Sequence, residues 1–194
     1  MAHGASWLWG RYSPAALTAV ALTASVDQAH KWWMLWGYRR EHPELSAMSW
    51  ADLLTTADEQ ARLGERFSAG PFLDIVYKKN TGVSFSWLDG TSYGWQLGLA
   101  AFAVLVSAAM WAWIARAGTG RLMAVSLGLL IGGALGNAID RVVLGGVNDY
   151  FMPHAFGMYW PAVFNIADVA IVAGVAGLLY DSVVPSRNDA AKPS

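Results

Sequence analysis

Residues 132–151, GGALGNAIDRVVLGGVNDYF, and residues 161–168, PAVFNIAD, decide how this chain is read. Apolar runs flank the pair on both sides, so the stretch joins two candidate membrane helices at one end. It leaves Asn137, Asp140, Arg141, Asn148, Asp149, Asn165 and Asp168 at that end. Ionisable groups at such a depth are costly to desolvate, which makes this cluster the first place to look for chemistry.

The rest of the composition agrees with a membrane setting. Of 194 residues, 55% are apolar and 14% are charged, against roughly 25% charged in soluble proteins. The formal net charge of -1 and the scattered lysines and arginines leave no basic face for nucleic acid. With no cysteine, disulfides, thiolate metal sites and a cysteine nucleophile are excluded. His30 and His154 stand without a second ligand near them in sequence, so neither a metal nor another cofactor is expected.

Hydropathy predicts a mainly α membrane protein, one integral domain over 1–194, with four transmembrane helices at about 14–36, 94–115, 122–139 and 161–180. The first would be about 34 Å long and carries Trp7, Trp9 and Tyr12 at one end and Trp32, Trp33, Trp36 and Tyr38 at the other, as aromatic belts do. Its rival reading as a signal peptide lacks a clear A-x-A site. In the third span Gly128, Gly132 and Gly136 recur every four residues, a small-residue face for close helix contact. Four spans put both termini on one side and the 37–93 and 140–160 loops on the other. Within the longer loop, Ser49 and Asp52 resemble a capping box and open a short amphipathic helix over 49–67. Phe72–Tyr77 and Val83–Trp87 then read as two strands around a Lys78–Gly82 turn, a β-ribbon over 72–87. Lysine and arginine counts do not decide which face is cytoplasmic, because the positive-inside rule is weak for long loops.

Helical spacing places Asn137, Asp140 and Arg141 on one face with Gly133 just below, and Asn165 with Asp168 on another. Asp168, seven residues past Pro161, lies inside the apolar zone, and Asp149 belongs to a connection that can fold back over the helix ends. Two carboxylates within about 4.5 Å would repel by ~4 kcal/mol at an effective dielectric near 20. They would therefore hold one proton between them, the state that aspartic peptidases use to activate water. Spacing leaves an alternative open, in which Asp149 caps a turn and Asp168 pairs with Arg141. Asp27 and Lys31 form a favourable i,i+4 pair, readable also as an interfacial ion pair. Asn80-Thr81-Gly82 is by composition a turn. Serine-hydrolase and zinc-protease motifs are absent. A proton relay or a non-catalytic scaffold are the other classes, the former without inverted repeats.

Five stretches together resemble bacterial lipoprotein signal peptidase, the signal peptidase II family: Asp27-Gln28-x-x-Lys31; Asn80-Thr81-Gly82-Val83-Ser84-Phe85; Gly132-Gly133-Ala134-Leu135-Gly136-Asn137-x-x-Asp140-Arg141; Val147-x-Asp149; and Phe164-Asn165-x-Ala167-Asp168. The resemblance spans about residues 14–180. It implies an intramembrane aspartic endopeptidase that removes the signal peptide from diacylglyceryl-modified prolipoproteins, cutting before the lipidated cysteine. It also implies Asp149 and Asp168 as the catalytic pair. Asn80, Gly133, Asn137, Asp140, Arg141 and Asn165 would shape the site and hold substrate, with Asp27 and Lys31 fixing the first helix to it. The implied setting is the bacterial cytoplasmic (inner) membrane, crossed several times, with cytoplasmic termini; a monomer in contact with lipid is expected. The ribbon, the insert helix and the aspartates would lie on the outer face. Tyr150 stands where the family pattern has Phe, and the 46–70 insert is longer than the pattern suggests.

Overall fold

A computed structural model describes residues 8–62, 64–82, 92–116, 120–160 and 162–183. Its elements are α1 (Ser13–Glu41), a 3-10 turn (Pro43–Leu45), α2 (Trp50–Arg62), β1 (Phe67–Ser68), β2 (Leu73–Asn80), α3 (Tyr93–Arg116), α4 (Arg121–Leu144), β3 (Val147–Ala155), β4 (Met158–Tyr159) and α5 (Ile166–Val183). The fold is mainly helical with a small antiparallel sheet, and α3, α4 and α5 are each long and apolar enough to cross a membrane.

Helix α4 is the centre of the bundle, packed on α1, α3 and α5. Glycine makes this possible. A Cβ on Gly128 would lie 2.6 Å from the Ala16 carbonyl oxygen of α1, and one on Gly133 would lie 2.5 Å from the Ala167 oxygen of α5. The α1 residues that meet α4 recur at helical spacing: Ala16, Ala19, Thr23, Asp27 and Lys31 are all buried. Leu17, Leu22, Val26 and Trp33 on its other side are exposed, as an apolar solvent would require.

Above the bundle, α2 opens with the Ser49 hydroxyl accepting the Asp52 N–H at 3.2 Å and donating to the Asp52 carboxylate at 2.7 Å. It lays Leu53, Leu54 and Ala57 on Tyr38, Tyr77 and Tyr150, all buried in one cluster with Met34, Leu35 and Leu144. The Tyr77 hydroxyl ends this core by donating to the Met34 carbonyl at 3.0 Å.

Four expectations need correction. The helix expected over 49–67 spans Trp50–Arg62, and Phe67 belongs to β1 instead, because Gly64 at φ +107° breaks the helical path between them. The strand that was to turn at Lys78–Gly82 continues to Asn80, and its partner is β3, in the sheet order β1-β2-β3-β4; the expected second strand, 83–87, lies outside the described residues. Alternation marks a strand but not its partner, and the connection after α4 supplies a longer edge. That connection is therefore nine residues of strand, buried along Val147–Tyr150. Finally, α4 runs on to Leu144, where Gly145 at φ +69° ends it, and α5 begins at Ile166, five residues after Pro161. A hydropathy window absorbs the apolar residues 162–164, but Phe164 is bridged to Phe151 in extended backbone. Asp168 thus sits in the first turn of its helix.

Candidate active site

Four elements converge on one point. The β2–β3 register sets Lys78 opposite Asp149 and Asn80 opposite Val147, after an extra residue in β2 between Ile75 and Lys78, a bulge that re-aims the strand end. The Asn80 amide donates to Asp149 Oδ2 at 2.9 Å, and its own oxygen accepts the Gly82 N–H at 3.1 Å. At the start of α5, Asn165 and Asp168 cap each other: the Asp168 N–H donates to Asn165 Oδ1 at 3.0 Å and the Asn165 N–H to Asp168 Oδ2 at 3.2 Å. This reciprocal arrangement, the logic of a capping box, holds both side chains rigidly at the helix N-terminus.

Two asparagines then join the carboxylates. Asn165 Nδ2 donates to Asp149 Oδ1 at 2.6 Å and to Asn137 Oδ1 at 3.1 Å, while Asn137 Nδ2 donates to Asp168 Oδ1 at 3.0 Å. Every oxygen of both carboxylates accepts a fixed donor. Asp149 is 1% exposed, and burial pushes its carboxyl up to about 7, the neighbouring Asp168 charge adding to the effect. It keeps its proton up to neutral pH because an ionised form there would be poorly solvated and would face a second carboxylate.

Behind this pair lies a buried ion cluster. Lys31 Nζ is 2.8 Å from Asp27 Oδ2 and 2.9 Å from Asp140 Oδ2, and donates to Asn137 Oδ1 at 3.0 Å. Gln28 donates to Asp140 Oδ1 at 2.8 Å and to the Gly136 carbonyl at 3.0 Å. The carboxylates also tie elements together: Asp27 Oδ1 accepts the Ala167 N–H at 2.9 Å and Asp140 Oδ2 the Asn148 N–H at 3.0 Å. The arginine does not pair with Asp168, as one reading of the spacing had it. Its guanidinium donates to the backbone carbonyls of Asn137 and Gly82, at 3.2 and 3.0 Å.

Asp149 and Asp168 share the wall of a cavity of about 620 Å³ with Asn80, Asn137 and Arg141. The remaining wall is apolar and includes Ala103 of α3, Ala134 of α4 and Val172 of α5. Helices α3 and α5 each pack on α4 but not along one another, so the cavity follows the cleft between them.

The family model of signal peptidase (SPase) II matches residues 19–184. The chain belongs to the signal peptidase II family. A protein named lipoprotein signal peptidase from Methylocella silvestris is 40% identical over 177 residues, 90% of each chain. Another of that name, from a Methylobacterium species, is 49% identical over 141 residues, 72% of this chain and 82% of the relative. A solved bacterial membrane enzyme, determined in meso at 2.3 Å resolution, shares the fold with a TM-score of 0.66 at 23% identity, over 92% of this chain and 93% of that one. Membership makes this chain a hydrolase of the signal peptidase II type.

Within that family frame, all ten candidate residues read from the sequence come together. Asn80, Asn137, Asn165, Asp149, Asp168 and Arg141 meet at the cavity or one bond from it. Asp27, Lys31 and Asp140 form the cluster behind, and Gly133 lets α5 approach α4. Sequence reasoning noted Gln28 and Tyr150 but gave them no part in the site, and did not find the cavity walls. Gln28 stood in the first motif, and its part could have been found there. Tyr150, whose hydroxyl accepts the Ile166 N–H at 3.4 Å, and the alanine and valine walls of the cavity carry no chemical signature of their own.

Proposed function

We propose that this protein is an aspartic endopeptidase that removes the signal peptide from diacylglyceryl-modified prolipoproteins, cutting before the lipidated cysteine. One observation carries the reading: Asp149 and Asp168 are coupled through Asn165 and Asn137 on the wall of one cavity. The names of the curated relatives support the substrate class.

In this mechanism the two aspartates hold one proton. The ionised carboxylate takes a proton from water as its oxygen attacks the scissile carbonyl carbon, and the protonated partner gives its proton to the carbonyl oxygen. Collapse of the tetrahedral intermediate breaks the C–N bond, the leaving nitrogen takes up a proton, and the pair regains its starting state. Asn80 and Arg141, which line the cavity beside the two aspartates, would hold the substrate backbone in register. The cleft between α3 and α5 suits a lipid-anchored substrate, which could enter sideways from the bilayer without leaving it.

Helix α1 completes a four-span arrangement. Its 29 residues reach about 43 Å, and the two charged groups in its middle, Asp27 and Lys31, are buried against α4. In this arrangement the termini are cytoplasmic, and α2, the sheet and the aspartates lie at the outer face of the bacterial cytoplasmic membrane.

Cleavage of a lipidated precursor by the purified enzyme in proteoliposomes tests the reading. Asp149→Asn and Asp168→Asn should each lower the rate by at least about 100-fold while the protein keeps its helical signal. Full activity in either variant would sink the proposal.

A further inference from the structure

Lys31 makes one contact that holding α1 to α4 does not require. Besides its two carboxylates it touches Asn137 Oδ1 at 3.0 Å. An ammonium can only donate, so the Asn137 atom that faces it must be the oxygen. Asn165 Nδ2 donates to the same oxygen at 3.1 Å. The Asn137 nitrogen is thereby turned to Asp168 Oδ1, 3.0 Å away, and a cation on the amide oxygen makes that N–H a stronger donor.

Asp149 is held differently. Among the described residues its donors, Asn80 and Asn165, are neutral amides, and it sits in a strand. Asp168 lies in the first turn of α5, where the helix dipole favours negative charge, and its second oxygen accepts the backbone N–H of Asn165 at 3.2 Å. Among the described residues, the charged groups that bear on Asp168 are Asp27 and Lys31 from α1, Arg141 from α4 and Asp149 from β3, with Asp140 of α4 behind Lys31. Arg141 is spent on two backbone carbonyls, so Lys31 is the cation joined to the side chain that touches Asp168.

We propose that Lys31 is a positioning residue: through Asn137 it keeps an N–H aimed at Asp168 and so makes Asp168 the carboxylate that takes the proton from water, leaving Asp149 as the acid that faces the scissile carbonyl. The inference rests on the peptidase reading above and gives each aspartate a role. The water oxygen bonds to the carbonyl carbon, one water proton goes to Asp168, and the Asp149 proton goes to the carbonyl oxygen. When the C–N bond breaks, Asp168 passes its proton to the leaving nitrogen, and the reforming carbonyl returns a proton to Asp149.

The test is Lys31→Met, assayed for cleavage of a lipidated precursor in proteoliposomes across pH, with Asp168→Asn in parallel. Loss of a charge-assisted link to the base should lower kcat by about 10- to 100-fold and leave KM unchanged, because Lys31 is not in the cavity wall. The acidic limb of the pH–rate profile should move to higher pH. If Lys31 merely held α1 in place, the variant would lose thermal stability while the surviving enzyme kept the kcat and pH profile of the parent, and that result overturns the proposal. Should Lys31→Met not fold, Lys31→Met/Asp27→Asn/Asp140→Asn removes the three charges together. It should fold and still show the lower kcat and shifted limb, and return to parental values would overturn the proposal equally. An active Asp168→Asn would instead defeat the peptidase reading itself, so the two failures are distinguishable.

Discussion

Asp149 sets the alkaline side of the pH behaviour expected of the site. Its carboxyl titrates near 7, raised by burial first and by Asp168 second, so the neutral form dominates below that pH and is lost as pH rises through it. A reaction that needs one proton on the pair should therefore weaken above neutrality. A kcat profile for lipidated precursor that stayed flat well into the alkaline range would contradict this. The Asn80 amide stabilises the ionised form of Asp149 through its 2.9 Å bond. Asn80→Ala should consequently push the alkaline limb to higher pH, since a hydrogen bond to a charged group is worth about 1.5–3 kcal/mol. An unmoved limb would show that Asn80 does not report on Asp149. At this scale the sequence was informative about residue types and incomplete about partners. Spacing put Asn137, Asp140 and Arg141 on one helical face, but Asp140 turns to Lys31, Asn137 to Asp168 and Arg141 to backbone. Side chains of similar reach were sorted by neighbours on three other elements, which no local spacing contains.

Among the elements, α4 imposes the strictest demands. Gly128 and Gly132 let α1 approach so closely that a Cβ would lie 2.6 Å from the Ala16 oxygen and 2.7 Å from Thr23 Cβ. Gly128→Leu should separate the two helices and lower the Tm in detergent, by an overpacking cost of at least 1–3 kcal/mol. Gly98→Ala on α3, where the added methyl would meet nothing within 4 Å, should be neutral or stabilising by up to about 1 kcal/mol. Equal Tm losses for both would mean that packing at the α1–α4 contact is not what the glycines serve. The four-residue glycine period was readable because close helix approach permits little else. The ends of elements were less so. The α5 boundary was missed because hydropathy is blind to the difference between an apolar strand end and a helix start. Asn165 and Asp168, three apart and reciprocally bonded, mark the true beginning. The β2–β3 pairing was missed because its two strands are separated by the whole of α3 and α4.

For the whole molecule, the arrangement predicts sidedness. The chain has no cysteine, so single cysteines can be introduced cleanly at exposed positions. In intact cells a membrane-impermeant maleimide should label Glu59→Cys on α2, and should reach Arg121→Cys at the start of α4 only after permeabilisation. The reverse pattern would invert the proposed orientation. The sequence by itself determined the membrane class, the principal helices and the polar residues worth watching, because burial in lipid forces long apolar runs and leaves costly polar groups conspicuous. Only the tertiary structure decided that Asp149 and Asp168 are joined through two asparagines, that Asp140 stands behind them with Lys31, and that their cavity follows the cleft between α3 and α5. These are contacts among residues up to 140 positions apart, as in the bond from Ala167 to Asp27. They are fixed by how α4 gathers its three neighbours, not by any pattern within one stretch of chain.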